Sequence, residues 1–495
     1  MRIDLLCVRI CFLLGTSALG QEPLSFLPLA GCRVPEWSVP VSKEVVLRWM
    51  DQDRNGSTLD PELRPFAVYD EVKLLRSERS KMLRSGLENG VYLEGTMTGM
   101  ALQSVMDRLL VGAGRDPGEV MVLLARQNWP NASCLGNGVV IMNVALLERL
   151  ETEDQLAFVL AHELAHQILD HVDDRIEEHA RAVHDPEFKK ELRRVLRSEY
   201  GRVTRLQELL RPVVFDQRRH GRTYELEADS LGLGFMTVAG YDPGASMQVM
   251  DILGRSDAEL YTDTLAIGRL LNSGDPSRSE WFTKRPSSSL GDFEVLHEAL
   301  EDSLKTHPDC DLRKVVLSRQ REAFKNEPQA TVASDTSFGC IRALAMSTMI
   351  DMAFVDRDLA RVLFLSLHQL ALWPEDTYSR AMASRAFSAL QVAQDEHLLG
   401  EMLAFQAPEN SDDHNQLIGA LHRMRGMDFA QLAEDMVAGH AEETADEFML
   451  WAQYHAARCN KELQRAEGFR SAYVLRFPNG HYIADLDPTR TTKKK

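Results

Sequence analysis

Between Gln155 and His171 the chain reads QLAFVLAHELAHQILDH, which sets His162, Glu163 and His166 in the pattern His-Glu-x-x-His. In a helix, residues four apart stand one above the other on a single face, so His162 and His166 present two imidazoles side by side. That is half of a zinc site. Glu163, next to the first imidazole, is placed to hold a water and take its proton while Zn2+ lowers that water's pKa and polarises a peptide carbonyl. The chemistry implied is hydrolysis. The surroundings point the same way: burying an uncompensated polar group costs roughly 2–7 kcal/mol, and a cation is the usual compensation for two imidazoles and a carboxylate set among Ala, Leu, Val, Phe and Ile. The competing interpretation is a helix whose histidines hydrogen-bond to neighbouring loops.

Catalytic zinc keeps three protein ligands and one open position, so a third donor must come from elsewhere. The stretch TYELEADSLGLGFM, 223–236, is a second helical segment carrying Glu225-x-x-Ala228-Asp229. Glu225 and Asp229 share a face at i, i+4. The first can ligate the metal, and the second can accept the free ring N–H of a ligand histidine and fix its tautomer. Ala228 permits close helix approach. Glu227 is expected on nearly the opposite side as a solvated carboxylate, and His171 and His220 are expected to be ordinary surface or core residues.

These groups need a scaffold. The pattern predicts a helix over Met97–Leu110, a strand over Val120–Ala125 and, after a Gly-rich turn, a strand over Val139–Met142 beside the active site. Asn131 and Cys134 sit at the entrance of that last strand, and an exposed edge there could pair with an extended peptide. The charged run 172–222 reads as a solvated helical arm. The Ser-, Pro- and Gly-rich stretch 273–292 is a loop and a candidate lid. Beyond Phe324 the pattern is almost wholly helical, and the runs 357–390 and 447–480 each read as helix, turn, helix with Ala at close-contact positions. This fits a tetratricopeptide-like array offering a concave surface to peptides or partner proteins, or else a helical bundle packed on the domain before it.

Taken together, the two motifs resemble the zinc metallopeptidases of the prenyl-protein endopeptidase, HtpX and mitochondrial OMA kind. PNASCLGNGVVIMNVALLERL (130–150), EADSLGLGFMTVAGYDP (227–243) and KTHPDCDLRKVVL (305–317) extend the resemblance over about 90–320. It is similar above all to soluble periplasmic members with C-terminal helical repeats; the transmembrane helices of other branches are missing. The resemblance implies a mainly α gluzincin-type domain with a small β-sheet, one Zn2+ per chain, and cleavage of misfolded or misassembled envelope or secreted proteins. It also implies a place near the metal for His307, either stabilising the oxyanion or occluding the open coordination position. The alternative is a structural His307 at a helix start marked by Thr306 and Pro308. An alternative function is a chaperone or assembly adaptor that acts through the repeats with the metal site latched.

The organisation expected over the 495 residues is a leader (1–32), a helical segment (33–89), the peptidase domain (90–320), a linker (321–340) and the helical repeat-like domain (341–495). A net charge of −18, with no basic cluster beyond Lys493–Lys495, argues against a nucleic-acid partner. Arg2, Arg9 and the apolar run Ile10–Leu19, ending at Ala18-Leu19-Gly20, read as an export signal. Leu29-Ala30-Gly31-Cys32 reads like a bacterial lipobox, which would lipidate Cys32 and tether the chain to a membrane leaflet. The location expected is therefore periplasmic or secreted, free or lipid-anchored. Of the cysteines after the signal, Cys310 and Cys340 form the nearest pair for a disulfide, and buried free thiols are the other arrangement. The loop 51–62 places oxygen donors at Asp51, Asp53 and Asn55, Gly56 at the sixth position and Glu62 at the twelfth, as a Ca2+-binding EF-hand loop requires. An Asx- and Gly-rich turn accounts for the same residues.

Overall fold

The computed structural model describes residues 35–36, 66–93, 95–197, 221–256, 258–261, 271, 278, 281, 310–322, 335–407, 410–441 and 445–487. The fold is mostly helical with one four-stranded sheet. In chain order the elements up to the second motif are α1 (Phe66–Glu88), β1 (Tyr92–Leu93), α2 (Met97–Gly112), β2 (Met121–Ala125), β3 (Ala132–Cys134), β4 (Val139–Asn143), α3 (Val144–Arg149), α4 (Glu153–Ile168), α5 (His171–His184) and α6 (Pro186–Leu196). The second motif lies on α7 (221–238), followed by α8 (Ala245–Gly254) and α9 (Cys310–Arg321).

The sheet has the order β1-β2-β4-β3, with β2 and β4 parallel and the other two pairings antiparallel. Side chains alternate across a strand, and here both faces are covered. Val122, Leu124, Val140 and Met142 enter the large core with α2 and α4, while Leu123, Ala125, Val139 and Ile141 pack with Leu83 and Leu87 of α1. This explains why 139–142 reads as an unbroken apolar run. It also corrects the expectation of an exposed edge there: β4 is wholly buried between β2 and β3, and the edge beside the motif helix is the short strand β3.

α4 begins at Thr152, whose side chain accepts from the Gln155 N–H, with Glu153 and Asp154 in the first turn complementing the helix dipole. From Gln155 to His166 every residue is buried. The helix closes at Leu169, and Asp170 adopts a left-handed conformation, φ 56°, that lets α5 start at once from His171. α7 crosses α4 at Gly232, where a Cβ would sit 2.9 Å from the His162 backbone nitrogen and 3.0 Å from the Ala161 carbonyl carbon.

After α9 come α10 (Asp335–Val355), α11 (Leu359–Leu372), α12 (Thr377–Asp395), α13 (Leu399–Met402), α14 (Asp412–Leu421), α15 (Gly426–Val437), α16 (Glu447–Cys459), α17 (Leu463–Arg476) and α18 (Ile483–Leu486). The runs 357–390 and 447–480 fold as helix, turn, helix. α12 packs against α11, α15 and α16 at once, so the helices gather around it. Within α10, Phe338–Val355 is long and apolar enough to cross a membrane, yet 78% of it is buried, against α2, α3, α11 and α12. One continuous core runs from Leu93 to Leu486, and Arg126 at the end of β2 donates to Asp351 of α10 at 2.6 Å. Cys340 is disulfide-bonded whereas Cys310 is a thiol, so the pairing of these two is not formed. Cys340's partner lies outside the described residues.

Gly232→Ala should destabilise the fold by about 1–3 kcal/mol, because the new methyl meets backbone and not a movable side chain. A lowered denaturant midpoint with an unchanged slope is the expected result; a midpoint equal to wild type would contradict it.

Candidate metal centre

On α4, His162 and His166 point their Nε2 atoms at one another across 3.1 Å. α7 brings Glu225 to the same point, its Oε2 3.4 Å from His162 Nε2 and its Oε1 3.4 Å from His166 Nε2. The three residues are buried, and their donor atoms all lie within 4.8 Å of one another. Tetrahedral bonds of about 2.0–2.1 Å place neighbouring ligand atoms about 3.3 Å apart, so the spacing suits a Zn2+-sized cation with one position left open. The donor chemistry fits as well: two nitrogens at 3.1 Å can share only one hydrogen, and two imidazoles plus a carboxylate form a common zinc set.

A buried guanidinium organises the carboxylates. Arg313, on α9 and 2% exposed, donates from Nε and Nη2 to the two oxygens of Asp229, both at 2.7 Å. Its Nη1 lies 3.0 Å from Glu225 Oε2. Asp229 Oδ1 is in turn 2.9 Å from His162 Nδ1. Burial alone would raise the Asp229 pKa, but the Arg313 hydrogen bonds and charge hold it below the usual carboxylate value. Burial likewise disfavours a charged His162, yet Asp229 and Glu225 outweigh it and lift that ring to about 10. His166 moves the other way, lowered chiefly by burial.

Glu163 is pinned from the sheet side: its Oε2 accepts from the Cys134 N–H of β3 at 2.6 Å. One turn on, Gln167 Oε1 accepts from the Gly138 N–H at 2.8 Å. The turn between β3 and β4 is thus stitched to α4 at two points. Gly136 within it has φ 77° and leaves no room for a Cβ, which would fall 2.7 Å from the Val172 Cβ. Burial, reinforced by Glu163, pushes the Cys134 thiol up to about 12, so it is an inert neighbour and not a nucleophile. A cleft of about 610 Å³ opens between β3 and α5, walled by Ala132, Cys134, Val172 and Arg175, with Glu163, His166 and Glu225 at its floor.

The family comparison agrees with this arrangement: the model of peptidase family M48 matches residues 98–320. Those residues are thus similar to the M48 peptidases. No curated protein matches the chain.

Within the matched residues, the structure brings together His162, Glu163, His166, Glu225 and Asp229. His307, the loop residues Asp51, Asp53, Asn55 and Glu62, and Cys32 lie outside the described residues. Two residues outside the cluster carry contacts that their residue types did not announce. Glu227 is exposed, as expected of a solvated carboxylate, and its Oε2 also reaches to 3.3 Å from His171 Nε2. His171 is buried against His166, with burial pressing its pKa down to about 4. Arg313 was overlooked altogether. Its signal was an arginine between Cys310 and Leu317 on the buried stripe of α9, where an apolar residue would ordinarily stand.

Arg313→Met should leave two buried carboxylates without their cation and cost about 3–5 kcal/mol in unfolding stability. A second expectation concerns pH. With its pKa raised to about 10, metal-free His162 is charged at neutrality, and a cation must displace the Nε2 proton. Zinc affinity should therefore rise with pH by about tenfold per unit between pH 6 and 8 in a chelator competition assay; a flat profile would show that no proton leaves.

Proposed function

We propose that the M48-like domain is a zinc-dependent endopeptidase in which His162, His166 and Glu225 hold one Zn2+. The supporting observation is the set of donor spacings, 3.1, 3.4 and 3.4 Å, with the Glu163 carboxylate one residue from the first ligand. Bound there, the ion supplies Lewis acidity toward a peptide carbonyl and a nearby water. Glu163 takes the proton of the attacking water and passes it to the leaving amine. Its fixed hydrogen bond to the Cys134 N–H keeps the carboxylate oriented before substrate arrives. Asp229 holds His162 with its hydrogen on Nδ1, so that Nε2 offers a lone pair to the ion.

The substrate is an extended polypeptide lying along the β3 edge, main chain to main chain, with one side chain in the cleft toward α5. A strand-pairing mode favours unfolded segments with little regard to sequence, in keeping with misfolded or misassembled envelope or secreted proteins. In this reading 1–32 directs export. The helical region after 341 receives clients or assembly partners.

Glu163→Gln should lower cleavage of an unfolded protein such as casein by about 10²–10⁴-fold while leaving one zinc per chain. Retained cleavage in that variant would sink the assignment.

A further inference from the structure

His171 stands between the metal cluster and a surface carboxylate. Its Nδ1 lies 2.9 Å from His166 Nδ1, and its Nε2 lies 3.3 Å from Glu227 Oε2. The ring is stacked on Tyr224, centroids 4.3 Å apart and planes 21° from parallel, and is 2% exposed. The Tyr224 hydroxyl donates to Glu178 at 2.9 Å, which fixes the stacking partner in its turn. The left-handed Asp170 folds the chain back so that His171 reaches His166 from the start of α5.

Two neutral imidazole nitrogens at 2.9 Å can share one hydrogen, so one donates and the other accepts. His166 Nε2 faces the metal cluster, 3.4 Å from Glu225 Oε1. A ligand nitrogen needs its lone pair, so the His166 hydrogen belongs on Nδ1 and is donated to His171 Nδ1. His171 then carries its own hydrogen on Nε2 and gives it to Glu227. The reverse arrangement, with the hydrogen on His171 Nδ1, would place the His166 hydrogen on Nε2 and close that nitrogen to a metal. The acceptor at Glu227 favours the productive arrangement. His162 obtains the same result directly from Asp229, backed by Arg313.

We propose that His171, oriented by Glu227, is a positioning residue that holds His166 in the tautomer whose Nε2 lone pair faces the metal. The inference rests on the metal-site reading above. α7 accordingly engages both ligand histidines: Glu225 and Asp229 face the cluster, while Tyr224 and Glu227, three residues apart, grip the ring behind it.

The experiment is a zinc competition titration of metal-free full-length protein against a chromophoric chelator. His171→Phe keeps a ring to stack on Tyr224 but removes the acceptor, and should weaken zinc binding about 10–100-fold. His171→Asn returns a carbonyl oxygen to the Nδ1 position and should restore affinity to within about threefold of wild type. Glu227→Leu should weaken binding in the same direction, with Glu227→Gln, which keeps an acceptor, close to wild type. If His171→Phe does not fold, the Glu227 pair at its half-exposed position carries the test alone. Wild-type affinity in His171→Phe, or equal losses in the Phe and Asn variants, overturns the proposal. Glu225→Ala, titrated alongside, separates the two levels: undiminished affinity there brings down the metal-site reading itself, whereas loss there with none in His171→Phe brings down only the role of His171.

Discussion

The close crossing of α4 and α7 is the constraint from which the site follows. Two of the clustered donors belong to one helix and the third to the other, and Gly232 lets their backbones approach to a distance that a side chain would forbid. Each helix is then held in place by a different part of the molecule. The turn after β3 grips α4 through Glu163 and Gln167, and α9 grips α7 through Arg313. Neither grip lies close in sequence to the residues it positions, so the site is a product of the tertiary fold and not of the motif alone.

This division accounts for what the sequence could reveal. His162, Glu163, His166, Glu225 and Asp229 were legible because their chemistry is carried by residue type at helical spacing, which needs no knowledge of neighbours. The strand at 139–142 was legible as apolar, but its central place was not, since strand order depends on pairings between distant segments. The contact of Glu227 was hidden for a related reason: the phase of α7 gives an outward, exposed side chain, and only the tertiary fold supplies His171 of α5 on that flank. The helix pairs after 357 were visible from their helix, turn, helix pattern, whereas their gathering around α12 depends on contacts that no local pattern encodes. The state of Cys340 was equally hidden, because nearness in sequence to Cys310 says little about nearness in space.

The two imidazoles of the cluster are supported unequally. His162 leans on a carboxylate that a buried arginine locks in place, while His166 leans on a second ring whose carboxylate is half in water. The C-terminal helices add a further layer of support. α10 joins α2 and α3 in one continuous core, and the Arg126 contact to Asp351 ties it to the strand next to β4. These helices therefore form part of the foundation of the sheet that carries β3.

Arg313 has a last consequence, for the order in which the protein is assembled. Arg313 donates to both oxygens of Asp229 and lies 3.0 Å from Glu225, so two carboxylates that would otherwise repel one another share one buried cation supplied by the chain itself. A chain built this way need not wait for its cation before closing its core, unlike small zinc modules that stay unfolded until loaded. Closure of the core around the α4–α7 crossing is in that sense separable from capture of a cation.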